Sequence, residues 1–345
     1  EKYRGRLTPE MIARIEQVLR SAQRSHSLGP LKPVLDDIKA QLKLEDTMMD
    51  FRISQAKASS PHRAATLESI MRRSKHILKD PTWLGPLSDP PEMQIDGRDY
   101  SLSILRGYIA ESLRTKTGRS IFLFGPPGTG KTLCAKRLLL EVHDYIKRHG
   151  GNGYGVYVNA GQTRTPYYTL AEVIRAMGAN VPASGWQFTR LKSEFERLKD
   201  EKPTVIVVDE VDVLLPKERE PIIYYLNRQP YITLVLISNR FKDLEALPQR
   251  ARSSLQPTPL IFQPYDADAA YLILSRRAKH AFHSGAVPNS VIQAIANHAA
   301  RLGDIRVGFN LLLMAGITAE AARKKKISVE DVNSLVPALD ATLRR

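Results

Sequence analysis

The 345-residue sequence predicts an α/β fold: a five-stranded parallel sheet, followed by an all-helical module and preceded by a helical, basic extension. Three observations predict it. Five short, predominantly apolar runs alternate with helix-period segments between about residue 100 and Pro264. After Pro264 the strand-like runs stop, and four segments of helical period follow one another. Before the sheet, residues 1–85 are rich in Lys and Arg and carry apolar side chains at helical spacing.

In the extension, Thr8-Pro9-Glu10 reads as a helix N-cap with proline at the first helical position, and Met11, Ile12, Ile15, Val18 and Leu19 fall on one face. Leu28-Gly29-Pro30 breaks that helix. Val34, Leu35, Ile38 and Leu42 give a second, and a third covers Ala64 to Ile77 after a small-residue linker from Ala56 to Pro61. No chemical motif falls here, so a DNA- or partner-binding module and a packing appendage both stay open. Residues 81–95 are proline-rich without a period, a surface connector.

The strand candidates are Ile121–Phe124, Val156–Val158, Val205–Val208, Ile232–Ile237 and Leu260–Phe262. Their continuous apolar character fits parallel strands covered on both faces. The helical segments after Pro264 are 266–284, 289–301, 304–323 and 328–343. Asp304 and Ser328 cap the last two, Ser328 with Asp331 three residues on, and Gly303 supplies the break before Asp304. The expected division is 1–85 extension and linker, 86–265 α/β domain, 266–345 helical lid.

Composition bounds the partners. A net charge of +15 favours a polyanion, nucleic acid ahead of an acidic membrane surface, against the plainer reading of a solvated face. No apolar run reaches the about 18–20 residues that span a bilayer, and no signal-peptide pattern opens the sequence, so no membrane partner is expected. Cys134 is the single cysteine, which excludes an internal disulfide and fits a reducing cytoplasm. On an apolar helix it reads as a buried structural thiol.

Gly125-Pro126-Pro127-Gly128-Thr129-Gly130-Lys131-Thr132 follows the first strand and opens a helix, the setting that the pattern G-x-x-x-x-G-K-[ST] requires. Glycines let the backbone curl so that its N–H groups converge on phosphate oxygens beside the positive end of the helix dipole. Pro126, Pro127, Gly128, Thr129, Gly130, Lys131, Thr132 and Leu133 are the expected nucleotide contacts. Lys131 reaches toward the β- and γ-phosphates, and the Thr132 hydroxyl is a magnesium ligand. Val205-Ile206-Val207-Val208-Asp209-Glu210 ends a buried strand in two acids; Asp209 is expected to hold the metal and Glu210 to polarise the attacking water. Asp212 can steady the local hydrogen bonds. Another buried strand ends in Ser238-Asn239, a neutral amide suited to holding the water and the γ-phosphate.

This ordered set resembles an AAA+ ATPase, with Asn239 in the sensor-1 position. Within that class it resembles the archaeal origin-recognition and Cdc6-type initiators, through Tyr157-Val158-Asn159, Gln162, Thr165-Pro166-Tyr167, Asp209-Glu210-Val211-Asp212, Ile237-Ser238-Asn239, Ser253-Ser254-Leu255, Phe262-Gln263-Pro264-Tyr265 and Gly303-Asp304-Ile305-Arg306. The resemblance implies that Arg306 is the sensor-2 arginine, contacting the γ-phosphate from the lid. It makes Arg250, with Arg252 as the alternative, the finger offered to a neighbouring subunit's nucleotide. It places Gly97-Arg98-Asp99 and Tyr265 beside adenine. It also implies a DNA-contacting helical insertion within about 162–175, where Arg164 and Arg175 can meet phosphates. Members usually continue into a winged-helix domain that reads the origin; the sequence as given runs to Arg345, so such a module is expected to be removed or replaced.

The resemblance therefore implies a magnesium- and ATP/ADP-dependent switch on duplex DNA, nucleoid-associated in the cytoplasm. Its turnover would be slow and completed by an arginine from a homo- or hetero-oligomeric neighbour, and a replicative helicase would be the further partner. A clamp-loader or transposition-regulator ATPase, and a nucleotide-dependent scaffold that does not hydrolyse, are the alternatives.

Overall fold

The strands form where the apolar runs predict. β1 (Ser120–Phe124), β2 (Tyr154–Asn159), β3 (Thr204–Asp209), β4 (Ile232–Ser238) and β5 (Thr258–Ile261) make one sheet in the order β2-β3-β4-β1-β5. Every pairing is parallel. The computed structural model describes residues 77–85, 95–150, 152–182, 184–214, 216–247 and 249–343, so the helices predicted within 1–76 lie outside the described residues.

Side chains alternate between the two faces, and each face has its own core. Phe122, Val156, Val158, Ile206, Val208 and Leu234 pack on one side with α4 (Pro166–Ala176), α5 (Phe188–Lys199) and α6 (Pro216–Asn227). Ile121, Leu123, Val205, Val207, Val235 and Ile237 pack on the other with α1 (Asp99–Thr115) and α2 (Lys131–Arg148). Cys134 is fully buried in this second core, and desolvation pushes its thiol up to about 12, as suits a structural residue. Pro259 sits in the edge strand β5, where a missing N–H is tolerated. β5 ends one residue before its predicted limit, although the N–H of Phe262 still donates to Phe124 O at 2.7 Å.

Register brings the chemistry to one edge. Phe124 pairs with Ser238, and Asn159 pairs with Asp209. Gly125, Asn239 and the acids that close β3 therefore leave the sheet side by side at its carboxyl edge, the usual ligand position in open α/β sheets. The loops here carry α3 (Ala160–Thr163) and α7 (Lys242–Glu245), and α8 (Gln249–Leu255) leads back to the amino edge, where Ser254 O accepts from Asn227 Nδ2.

α9 (Ala267–Ala281), α10 (Asn289–Leu302) and α11 (Ile305–Ala321) follow the sheet within the same compact unit, Ile77–Ile327. Gly303 ends α10 in the left-handed region at φ 73°, and the Asp304 carboxylate caps α11. The start of this unit is clamped to the lid: Ile77 N and Leu78 N donate to Glu320 Oε2 at 2.9 and 3.2 Å, and Trp83 stacks on His280. α12 (Val329–Leu343) belongs to a separate unit. It opens with the reciprocal cap read in the sequence, Ser328 N to Asp331 Oδ2 and Asp331 N to Ser328 Oγ. No described helix is long and apolar enough to cross a membrane.

Candidate functional site

A cavity of about 630 Å³ opens between the carboxyl edge of the sheet and the lid helices α9 and α11. Pro127 through Leu133 line its floor, with Asp209, Glu210, Asn239, Tyr265 and Arg306 around them. One set of expected site residues thus converges on one crevice. Pro126 stands just outside the lining and contributes its carbonyl, which accepts from Lys131 Nζ and Thr129 Oγ1, both at 2.8 Å. Arg250 lies elsewhere, exposed on α8 with its guanidinium 5.8 Å from the Tyr224 ring, and Arg252 is exposed on the same helix.

The loop conformation needs its glycines. Gly128 has φ +72°, and a β-carbon there would fall 1.8 Å from Asp304 Oδ1; at Gly130, φ +84°, it would fall 2.4 Å from the Tyr265 hydroxyl. Arg98 braces the loop from behind. Its Nε donates to Thr129 O at 2.9 Å, Nη2 donates to Gln263 O, and its guanidinium lies 3.9 Å from the centre of the Tyr265 ring. Arg98 therefore grips the phosphate loop, while Ile95 and Asp96, just before it, reach the cavity wall. Burial pushes the Tyr265 phenol up to about 12.

Lys131 is buried at the first turn of α2. Its ammonium donates to Gly125 O at 2.6 Å, to Pro126 O and, at 3.3 Å, to Asn239 Oδ1. Burial holds it down at about 8, with Asp209 and Asp212 acting in the opposite sense. Asn239 passes the connection on, since its amide Nδ2 donates to Asp212 Oδ2 at 3.2 Å. Asp212 thus steadies the amide, a part that the sequence suggested only in general terms.

Asp209 is held on three sides. Oδ2 accepts from Thr132 Oγ1 at 2.7 Å and from Tyr157 Oη at 2.9 Å, and Oδ1 accepts from Glu210 N at 2.8 Å. Burial and the Asp209 charge keep the Tyr157 phenol protonated, well above its ordinary value. Tyr157 was part of a family likeness only; its hold on Asp209 has no signature in sequence, because β2 and β3 meet only in the folded sheet. Glu210 sits in the left-handed region at φ 51°, ψ 41°, an uncommon place for a residue with a long side chain and one found disproportionately at functional sites. That turn swings its carboxylate off the strand end toward Gly161, where a β-carbon would lie 2.2 Å from Glu210 Oε2.

The donor set fits a nucleoside triphosphate with magnesium. One hydroxyl and one carboxylate at hydrogen-bond distance are hard oxygen ligands of the number that Mg²⁺ takes from protein when phosphates and water complete its shell. The glycine-rich loop at the start of α2 offers amides to phosphate, and Ile95, Leu133, Ile273, Ile305 and Phe309 provide an apolar wall for a base.

Near the second strand, α3 and α4 occupy the segment expected to hold a DNA-contacting insertion. Arg164 is exposed there. Arg175 is partly exposed; its guanidinium donates to Val181 O, Pro182 O and Glu172, which staples the end of α4.

Two family models match: an AAA domain over residues 114–244 and a Cdc6 AAA+ ATPase-type lid domain over residues 271–334. The chain is 34% identical over 256 residues to the ORC1-type DNA replication protein 1 of Sulfurisphaera tokodaii, covering 72% of this chain and 64% of that protein. It is 31% identical over 282 residues to the ORC1-type DNA replication protein of Thermococcus onnurineus, covering 77% and 68%. The chain thus spans about two thirds of the length of these relatives. Among solved structures, Aeropyrum pernix ORC1 in complex with DNA superposes with a TM-score of 0.67 at 30% identity, over 79% of this chain and 71% of that one. Pyrobaculum aerophilum Cdc6p, at 23% identity and a TM-score of 0.64 over 75% and 71%, shares the fold.

Proposed function

The chain belongs to the ORC1/Cdc6-type AAA+ proteins, and from that premise we propose that it is an ATP-dependent switch that acts on duplex DNA as a replication initiator. The observation that carries this reading is the convergence, in one crevice, of the phosphate loop, the Thr132–Asp209 pair, Glu210, Asn239 and Arg306.

Lys131, loop amides and Arg306 bind the triphosphate, and the apolar wall near Ile95 and Phe309 seats the base. Thr132 and Asp209 would hold magnesium, which when bound would neutralise charge on the triphosphate. Tyr157 and the Glu210 amide fix the Asp209 carboxylate in place. Glu210 accepts a proton from water as that water attacks, and Asn239, oriented by Asp212, steadies the water. Arg250, outside the chain's own crevice, is offered to a neighbouring subunit's nucleotide, so a lone subunit turns over slowly. ATP draws the lid in through Arg306, and hydrolysis resets the switch.

Two features support DNA as the partner: the net charge of +15, and the similarity to an ORC1 protein whose structure is a complex with DNA. Recruitment or loading of a replicative helicase is the downstream step in this reading. ATP turnover, with and without duplex DNA, by the native chain and by Glu210→Gln tests the enzymatic part. Turnover should fall by roughly two orders of magnitude or more in the variant, with ATP still bound. Equal rates in both proteins would leave only a nucleotide-dependent scaffold.

A further inference from the structure

We propose that Asp304 is the positioning residue for Arg306: its carboxylate, seated against the phosphate loop, aims the guanidinium at the terminal phosphate and so sets the preference for ATP over ADP. The inference rests on the reading of Arg306 as a triphosphate contact and adds the group through which Arg306 is governed.

Three observations carry it. Arg306 is forked onto Asp304, with Nε donating to Oδ1 at 2.9 Å and to Oδ2 at 3.1 Å, and Nη2 donating to Oδ2. A guanidinium held by two parallel bonds to a carboxylate loses most of its rotational freedom, which makes this pairing a directional device. The carboxylate is itself fixed through Oδ1. Oδ1 accepts the Arg306 N–H at 2.9 Å, which caps α11, and it packs where a β-carbon of Gly128 would sit. The fork therefore stands on the phosphate loop, and Arg306 lines the cavity from that footing.

The charge pattern follows. A carboxylate beside a phosphate site repels the ligand unless a cation stands between them, and Arg306 is that cation. Its pKa is raised, chiefly by the hydrogen bond to Asp304, so it stays charged. ADP lacks the phosphate at which a lid arginine aims, so loss of the aim should weaken ATP and spare ADP.

The plain rival is that Asp304 is only a helix cap. Asparagine and serine both cap helices well but neither presents a charged fork. The test is equilibrium binding of ADP and of a non-hydrolysable ATP analogue with Mg²⁺ to the full chain, to Asp304→Asn, to Arg306→Ala and to the double variant. Asp304→Ser and melting temperatures serve as controls for folding. Asp304→Asn should weaken the ATP analogue about three- to tenfold, with ADP changed less than about twofold. The double variant should bind no more weakly than Arg306→Ala, because Asp304 acts through Arg306.

Equal weakening of both nucleotides in folded Asp304→Asn and Asp304→Ser, full additivity in the double variant, or unchanged affinity would each overturn the inference. If Arg306→Ala itself leaves the ATP-to-ADP ratio unchanged, the reading of Arg306 falls with it. If that variant moves the ratio and Asp304→Asn does not, only the positioning role falls.

Discussion

Replacing Lys131 with methionine is expected to stabilise the protein while destroying its nucleotide site. The residue is 6% exposed, and burial holds its ammonium at about 8 against 10.5 for an ordinary lysine. At neutral pH the charged form therefore carries a penalty of about 3 kcal/mol. Methionine has a similar length and no charge to bury. It forfeits the bonds to the Gly125 and Pro126 carbonyls and to Asn239 Oδ1, a loss of roughly 1–2 kcal/mol. The balance is roughly 1–2 kcal/mol in favour of the variant, about 2–6 °C in melting temperature for a unit of this size.

Because the folded-state value lies below the unfolded one, the unfolded chain binds more protons above about pH 8. The native protein therefore gains stability between about pH 8 and 10.5, and the gap to the variant narrows over that window while staying constant below it. Calorimetric melts of both proteins without nucleotide at pH 7 and pH 9.5 measure this directly. Nucleotide titration should show affinity reduced by roughly a hundredfold or more, the usual result of deleting one partner of a desolvated charge pair. A variant less stable than the native chain at pH 7, or a gap indifferent to pH, would mean that the ammonium supports the loop instead of burdening it.

Three further outcomes follow from the same contacts. Tyr157→Phe removes one of the two donors to Asp209 Oδ2, so the Mg²⁺ concentration for half-maximal turnover should rise about three- to tenfold, with nucleotide affinity in EDTA unchanged; an unmoved Mg²⁺ titration would show that Thr132 alone suffices. Gly161→Ala sets a β-carbon 2.2 Å from Glu210 Oε2 and 2.9 Å from Asn159 Oδ1, so both side chains must give way and kcat should fall about tenfold or more, with melting temperature and the KM for ATP as controls for the fold; undiminished kcat would remove Glu210 from the reaction. Affinity for duplex DNA should fall steeply with salt, with a log–log slope of about −0.9 for each phosphate neutralised, and a flat response would take nucleic acid off the partner list.

Local patterns were legible in sequence, and contacts between distant segments were not. The phosphate loop, the acids closing β3 and the caps at Asp304 and Ser328 announce themselves because the residues that define them are neighbours in the chain. The five strands are legible for a related reason: parallel strands in a sheet covered by helices are predominantly apolar, most completely so in the central β3 and β4. Their ends slipped by one or two residues because side-chain polarity does not mark where the last ladder bond forms. Tyr157 gave no sign of holding Asp209, since its partner lies on another strand. Arg98, matched to an adenine-side position, turns behind the loop because Thr129 O and Gln263 O converge there only in the folded chain. Arg175, one of two arginines placed by the resemblance where they can meet phosphates, also bonds carbonyls just past its own helix, a contact with no mark in sequence.

In the proposed mechanism a triphosphate and its metal are gripped between the sheet's carboxyl edge and the lid. Co-crystallisation with a non-hydrolysable ATP analogue and Mn²⁺ tests it most directly, because manganese marks its own position by anomalous scattering. One strong anomalous peak is expected within coordination distance of Thr132 Oγ1 and an Asp209 carboxylate oxygen, with the terminal phosphate reaching Lys131 and Arg306. Nucleotide density lodged elsewhere, or a manganese peak remote from Thr132 and Asp209, would contradict it.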